Sequence, residues 1–176
     1  MLDKLKTAVV LVIIGGLSGL LIYFVNDLTE QIIIDNRIAI EEGYYMDILG
    51  IDDDVKIDVE KIDLDGAVDQ EVVIRELVSN DLIGIIYRST DSNNYGTVTV
   101  LVGIFPDGTI ADVIISNTSN TPTFVSTIKK EYIGNFKEQE ITNYSIDSKT
   151  GATFTYTSVV TVVENAAAKF AESWGE

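Results

Sequence analysis

Neither cysteine nor histidine occurs anywhere in the 176 residues. Without thiolate or imidazole the chain has no ligands for an iron–sulfur cluster, a typical haem or a typical zinc site. It equally lacks a Cys-His or Ser-His catalytic pair. No disulfide exists from which a redox compartment could be read, and no thiol is present to carry a lipid. Basic residues are scarce as well: 12 Lys and Arg stand against 28 Asp and Glu, a net charge of −16. That balance argues against nucleic acid or an anionic lipid surface as partner. Any redox chemistry here has to come from an organic cofactor.

What is present is apolar. Hydrophobic residues make up 46% of the chain, enough for a real core, and the length suits one domain with a short appendage. Ala8 to Val25 runs without a charge, and a membrane-crossing helix needs about 20 residues, within a range near 17 to 25. Lys4 and Lys6 precede this run, whereas Asp27, Glu30 and Asp35 follow it. The positive-inside bias therefore predicts a cytoplasmic N-terminus and an extracytoplasmic remainder. A cleaved signal peptide is the competing reading, but Tyr23, Phe24, Val25 and Asn26 offer no small-x-small cleavage site. Gly15 and Gly19 have the spacing that lets two membrane helices approach closely, and membrane helices also use glycine freely.

Beyond the anchor, Leu28 to Leu49 is expected to be a helix leaving the membrane, with Gly43 and Gly50 marking its fraying or end. Asp52 to Glu71 is the most acidic segment and is expected to be a solvated surface with turns. It is no calcium loop: the register that puts Gly66 sixth places Lys61 first and Val72 last. From Val72 the pattern turns to strands. Leu82 to Tyr87 reads as one, Ser89 to Asn94 as a turn, and Gly96 to Phe105 with Ile110 to Ile115 as a hairpin around Pro106-Asp107-Gly108. Lys129 to Phe136 reads as a short helix or turn, and Ile141 to Ile146 as extended. Phe154 to Val163 is rich in β-branched residues, which favours a strand, yet Val159, Val163, Ala166 or Ala167 and Phe170 recur at helical spacing, so strand and helix both stand on these residues alone. Antiparallel strands flanked by helices make an α+β domain.

One stretch stands out chemically. Asp147 to Thr153 reads DSKTGAT and continues Phe154-Thr155-Tyr156-Thr157. Glycine lets the backbone approach a ligand closely, and a helix starting just after such a turn favours a phosphate at its N-terminus. Hydroxyls are offered at Thr150, Thr153 and Thr155. A Ser/Thr-rich structural turn has the same composition.

At these residues the sequence resembles the FMN-binding domain family found in the G subunit of Rnf electron-transport complexes and the C subunit of sodium-pumping NADH:quinone reductases. The family pattern is an Asp, two variable positions, Ser or Thr, Gly, Ala and an acceptor Thr. The resemblance implies that a separate flavin transferase esterifies Thr153 to the phosphate of FMN, with Asp147, Thr150, Gly151 and Ala152 as the recognition element. Thr155 and Thr150 stay open as alternative acceptors. Tyr95-Gly96 and Phe105 to Ile110 are similar to the family's glycine-led strand and its DG-I turn, and the resemblance implies a helix after the motif, expected from about Tyr156 to Glu172. Asn120-Thr121-Pro122 stands where the family has Glu-Thr-Pro followed by Gly-Leu-Gly, and here Thr123, Phe124 and Val125 replace that tail. Flavin contact by Thr121 and Pro122 is thus expected beside the plainer reading of an ordinary loop.

The implied organisation is a cytoplasmic stub and transmembrane anchor (1–26), a membrane-proximal helix and acidic segment (27–80), and an extracytoplasmic FMN-binding domain (81–176). The implied function is that of an electron carrier with covalent FMN and no catalytic residue of its own, the G-type subunit of an Rnf-like ion-translocating complex whose other membrane subunits are its partners. Two alternatives stand beside it: a free-standing anchored flavoprotein that relays electrons to extracellular acceptors, and a non-redox surface binding domain.

Overall fold

The structure, a computed structural model, describes residues 2–144 and 152–175. The chain divides into two compact units, Met1–Gly43 and Tyr44–Glu176. Helix α1 spans Leu2–Leu49 without interruption. The expected helix over Leu28 to Leu49 is the last part of α1, and of the two glycines expected to mark its fraying or end, Gly43 sits inside the helix. The helix gives way at Gly50, whose φ of 62° is the left-handed conformation that glycine adopts without steric cost. Within the first unit, Lys6–Glu30 has a mean hydropathy of 2.6 over 25 residues and exposes its apolar side chains. Among the described residues it is the one helix long and apolar enough to cross a membrane, and that is compatible with a single-pass anchor.

The second unit is built on a five-stranded antiparallel meander in the order β1-β2-β3-β4-β5. The strands are β1 (Ile57–Asp63), β2 (Gln70–Glu76), β3 (Leu82–Asn93), β4 (Gly96–Ile104) and β5 (Ile110–Thr118). Helix α2 (Pro122–Glu131), a 3-10 turn (Ile133–Phe136) and helix α3 (Thr153–Ser173) follow. The α+β expectation holds.

Side chains alternate across the strands and divide the core in two. Ile85 and Tyr87 of β3, with Val98, Val100, Val102 and Ile104 of β4, pack on one face against Val159, Val163, Ala166 and Phe170 of α3. Ile86, Leu101, Val72 and Ile74 form the opposite face, covered by Tyr45, Ile48 and Leu49 from the last turns of α1. Each fully buried Val, Leu or Ile contributes about 1.5–3 kcal/mol. The α1 end can come this close because Gly84 and Gly103 carry no side chain. A Cβ on Gly84 would stand 2.6 Å from Leu49 Cδ2, and one on Gly103 would collide with Ile48.

Several local expectations are corrected. The acidic segment holds strand β1, because Ile57 and Val59 alternate with Asp58 and Glu60 and so offer one half-buried face despite the charge count. Strands β1 and β2 thereby share one sheet with the strands of residues 81–176. The segment expected to turn at Ser89 to Asn94 is mostly strand: β3 continues to Asn93, and only Asn94-Tyr95 turn before Gly96. The cross-strand bond between Thr90 Oγ1 and Thr99 Oγ1, 3.1 Å, helps to carry the ladder through this polar stretch. Helix α2 begins at Pro122 rather than near Lys129, since proline fits the first helical position where no N–H is needed. Ile141 to Tyr144 forms turns rather than a strand, and the end of that expected segment lies outside the described residues. Helix α3 starts at Thr153, three residues ahead of the expected Tyr156. The β-branched run does not make a strand there because burying Val159, Val162 and Val163 against the sheet outweighs their local preference.

Candidate functional site

The centre of the site is the start of α3. Thr153 is its first residue and is exposed, whereas Ala152, the N-cap, is buried. The cap makes no side-chain hydrogen bond. Tyr156 N donates to Ala152 O at 3.0 Å and opens the helical ladder. Thr155 points inward with 1% exposure, unlike Thr153. Asp147, Thr150 and Gly151 lie outside the described residues.

A buried polar network fixes this first turn. Asn120 Nδ2 donates to Thr155 Oγ1 at 2.9 Å and to Asn93 Oδ1 at 3.2 Å. Asn93 Nδ2 in turn donates to Ser158 Oγ at 2.8 Å and reaches Phe154 O at 3.5 Å, while Asn93 Oδ1 also accepts from Tyr95 N at 2.9 Å. Three separate pieces of chain, the β3–β4 turn, the segment leading into α2 and the start of α3, are thereby tied together. Asn120 is 4% exposed, and its Oδ1 has no protein partner. Gly96 lies against it with a φ of 132°, and a Cβ there would meet Ser119 Oγ and come within 3.3 Å of Asn120 Oδ1.

Thr121 is the N-cap of α2 and Pro122 its first residue; both are exposed, and Thr121 makes no side-chain cap bond. Its carbonyl accepts from Phe124 N at 3.0 Å. The structure thus brings Ala152, Thr153 and Thr155 to one helix start and joins them, through Asn120, to the Thr121-Pro122 loop.

Sequence reasoning overlooked the aromatic side chains around this turn. Tyr95 stands 5.5 Å from Phe154 at 72° and 5.7 Å from Phe124 at 56°, ring centre to ring centre. Each of the three follows or precedes a motif piece: Tyr95 before Gly96, Phe124 two residues after Pro122, Phe154 directly after Thr153. That adjacency was the available signal. Asn120 was legible only as a departure from Glu, and Asn93 and Ser158 carried no signal at all.

The clefts of the second unit lie elsewhere. One of about 330 Å³ is lined by Asp65, Gly66, Asn165 and Lys169, and one of about 560 Å³ by Asp107, Gly108, Glu140 and Trp174. Neither of these two clefts, among the described residues, includes a residue of the network. Far along α3, Trp174 Nε1 donates to Glu71 Oε1 at 3.3 Å. Burial and the neighbouring Glu71 carboxylate push the Tyr87 phenol above its ordinary range. Among the described residues no group of three or more His, Cys, Asp or Glu side chains is arranged to hold a metal ion.

The residues present suit a flavin phosphate. An exposed threonine opens α3, whose N-terminal dipole favours a phosphate, and aromatic rings stand beside it. Comparison with known proteins points the same way. Residues 94–168 match the family model described as FMN-binding domain. No curated protein matches the sequence. Among solved structures, the crystal structure of Shewanella oneidensis NqrC is similar, at 14% identity and a TM-score of 0.47 over 65% of this chain and 64% of that one. The match thus spans less than two thirds of NqrC. The match to the FMN-binding domain model runs from the β3–β4 turn through most of α3 and so takes in the start of α3 and the Thr121-Pro122 loop.

Proposed function

We propose that this chain is a membrane-anchored electron carrier whose FMN is esterified through its phosphate to Thr153 by a separate flavin transferase. The carrying observation is the complete Asp147 to Thr153 motif, whose last residue is the exposed first residue of α3 within the matched segment. Asp147, Thr150, Gly151 and Ala152 form the recognition element for attachment, and Thr121 and Pro122 border the flavin. Thr155 is an improbable acceptor on physical grounds, because its oxygen is buried and receives the Asn120 amide. Bound here, FMN supplies the redox chemistry through its isoalloxazine ring.

The chain's own residues attach, orient and shield. The Thr153 oxygen holds the phosphate, the α3 dipole favours its negative charge, and the Asn93–Asn120 network keeps the helix start rigid. A tether through the phosphate leaves the ring electronics nearly untouched and prevents loss of the cofactor to the outside medium.

The proposal extends to context. Lys4 and Lys6 before the apolar span support a cytoplasmic N-terminus with the FMN-binding domain outside, and in this proposal the chain serves as the G-type subunit of an Rnf-like ion-translocating complex. Two experiments separate these levels. After co-expression with a flavin transferase, a denaturing gel should show a fluorescent band for the wild type and none for Thr153→Ala; a dark wild-type band rejects covalent attachment. Solubilised native membranes should yield the chain together with other membrane redox subunits, and purification of the flavinylated chain alone rejects the complex while leaving the carrier.

A further inference from the structure

We propose that Tyr95, Phe124 and Phe154 form the platform on which the isoalloxazine ring of the tethered flavin lies, with Tyr95 as its central ring. This rests on the reading of Thr153 above and adds positioning residues that the motif does not contain.

Exposure is the first support. Among the described residues of the second unit, the exposed large hydrophobic side chains are Ile62, Leu77, Val78, Tyr95 and Phe154. Only Tyr95 and Phe154 are aromatic, 48% and 46% exposed, and these two touch. Clustered apolar exposure on a folded domain marks a surface that something covers.

Rigidity is the second. Tyr95 sits in the two-residue β3–β4 turn with its amide bound to Asn93 Oδ1. Phe154 lies in the first turn of α3 with its carbonyl held by Asn93 Nδ2, and Phe124 in the first turn of α2. One half-buried asparagine thus contacts the backbone at two of the three rings, at 2.9 Å for Tyr95 N and at 3.5 Å for Phe154 O. Pre-positioned aromatic rings bind a planar ligand without first having to be ordered.

Geometry is the third. Tyr95 meets Phe154 edge to face at 72° and Phe124 in a tilted contact at 56°, and neither pair is stacked, so half-exposed ring surface stays available to a planar partner. Phe154 directly follows Thr153, and the ribityl chain confines an esterified flavin to the surface around this helix turn. Phe124 stands where the family has leucine, so the platform is a feature of this chain's own sequence.

A phenol against an isoalloxazine ring quenches its fluorescence. On excitation one electron passes from the phenol to the flavin and returns by recombination, so nothing is oxidised or reduced in net. The test uses the full chain carrying one FMN, verified by mass, and records emission yield and visible circular dichroism in wild type, Tyr95→Leu, Tyr95→Trp and Phe154→Leu. Wild type should emit weakly and brighten when unfolded in urea. Tyr95→Leu should lower the stacked fraction by a few-fold to about tenfold, as expected for loss of one ring contact, and brighten accordingly. Phe154→Leu should brighten less, and Tyr95→Trp should restore the quenching. Tyr95 is half-exposed in a turn, so the far-ultraviolet spectrum should stay that of wild type. Native wild type as bright as the unfolded protein, or Tyr95→Leu with wild-type emission and visible dichroism, overturns the platform. Absence of FMN from wild type overturns the Thr153 reading instead, and the two failures are distinguished by the mass.

Discussion

Replacing Asn120 by alanine probes the network that holds the start of α3. The substitution removes the 2.9 Å bond to Thr155 Oγ1 and the 3.2 Å bond to Asn93 Oδ1. Each is worth about 0.5–1.5 kcal/mol net, and Thr155, at 1% exposure, has little access to water as a substitute partner. An opposing effect reduces the cost. Asn120 Oδ1 is buried without a partner, so its deletion recovers about 1 kcal/mol of desolvation. The cavity left behind adds again to the loss. The balance is a destabilisation of about 1–2 kcal/mol, or a fall of about 3–8 °C in Tm for a domain of this size. Thermal unfolding of the full chain in detergent, followed by circular dichroism, measures it. The cycle with Thr155→Val is sharper, because the valine removes the acceptor while keeping the shape. The double variant should lose about 1 kcal/mol less than the sum of the singles. Additive losses, or an Asn120→Ala protein as stable as wild type, would refute the network as the element that fixes the helix start.

Other expectations follow from single features. Gly96→Ala should cost about 1–3 kcal/mol in denaturant unfolding, since φ 132° strains any side chain and the added Cβ strikes Ser119 Oγ; wild-type stability would show that the turn relaxes freely. Tyr87 has a folded-state pKa above its unfolded value of 10.0, so its stabilising effect is whole below that pH and is lost as pH rises beyond it. Tyr87→Phe should therefore flatten the decline of stability across roughly pH 9 to 12, and an unchanged slope would place the alkaline titration elsewhere.

How much of this was readable from the sequence depended on whether a residue's role is local. The β4–β5 hairpin was plain because Pro106-Asp107-Gly108 carries its own turn chemistry: Gly108 has φ 85°, and Asp107 Oδ1 accepts from Thr109 N at 2.9 Å, which holds that carboxyl below its usual range. The apolar span and the α+β class came from runs and alternation in the same way. What failed were features that need a distant partner. β1 pairs because β2 lies beside it, in spite of its charge, and α3 starts three residues ahead of the expected Tyr156, where β3 and β4 offer its β-branched first half an apolar face. At the site, Thr153 was marked by its own motif, whereas Asn93, Asn120 and Ser158 are separated by up to 65 residues and meet only in the fold. A turn of chain announces itself; a hydrogen-bonded crossing of three segments does not.

The covalent bond to Thr153 is where the account is most exposed, and intact-mass measurement of the full chain co-expressed with a flavin transferase tests it most directly. The account predicts one FMN per wild-type chain, located by peptide mapping on the peptide containing Thr153, retained in Thr155→Val and absent in Thr153→Ala. A wild-type chain of unmodified mass, or an adduct that persists in Thr153→Ala, would contradict it.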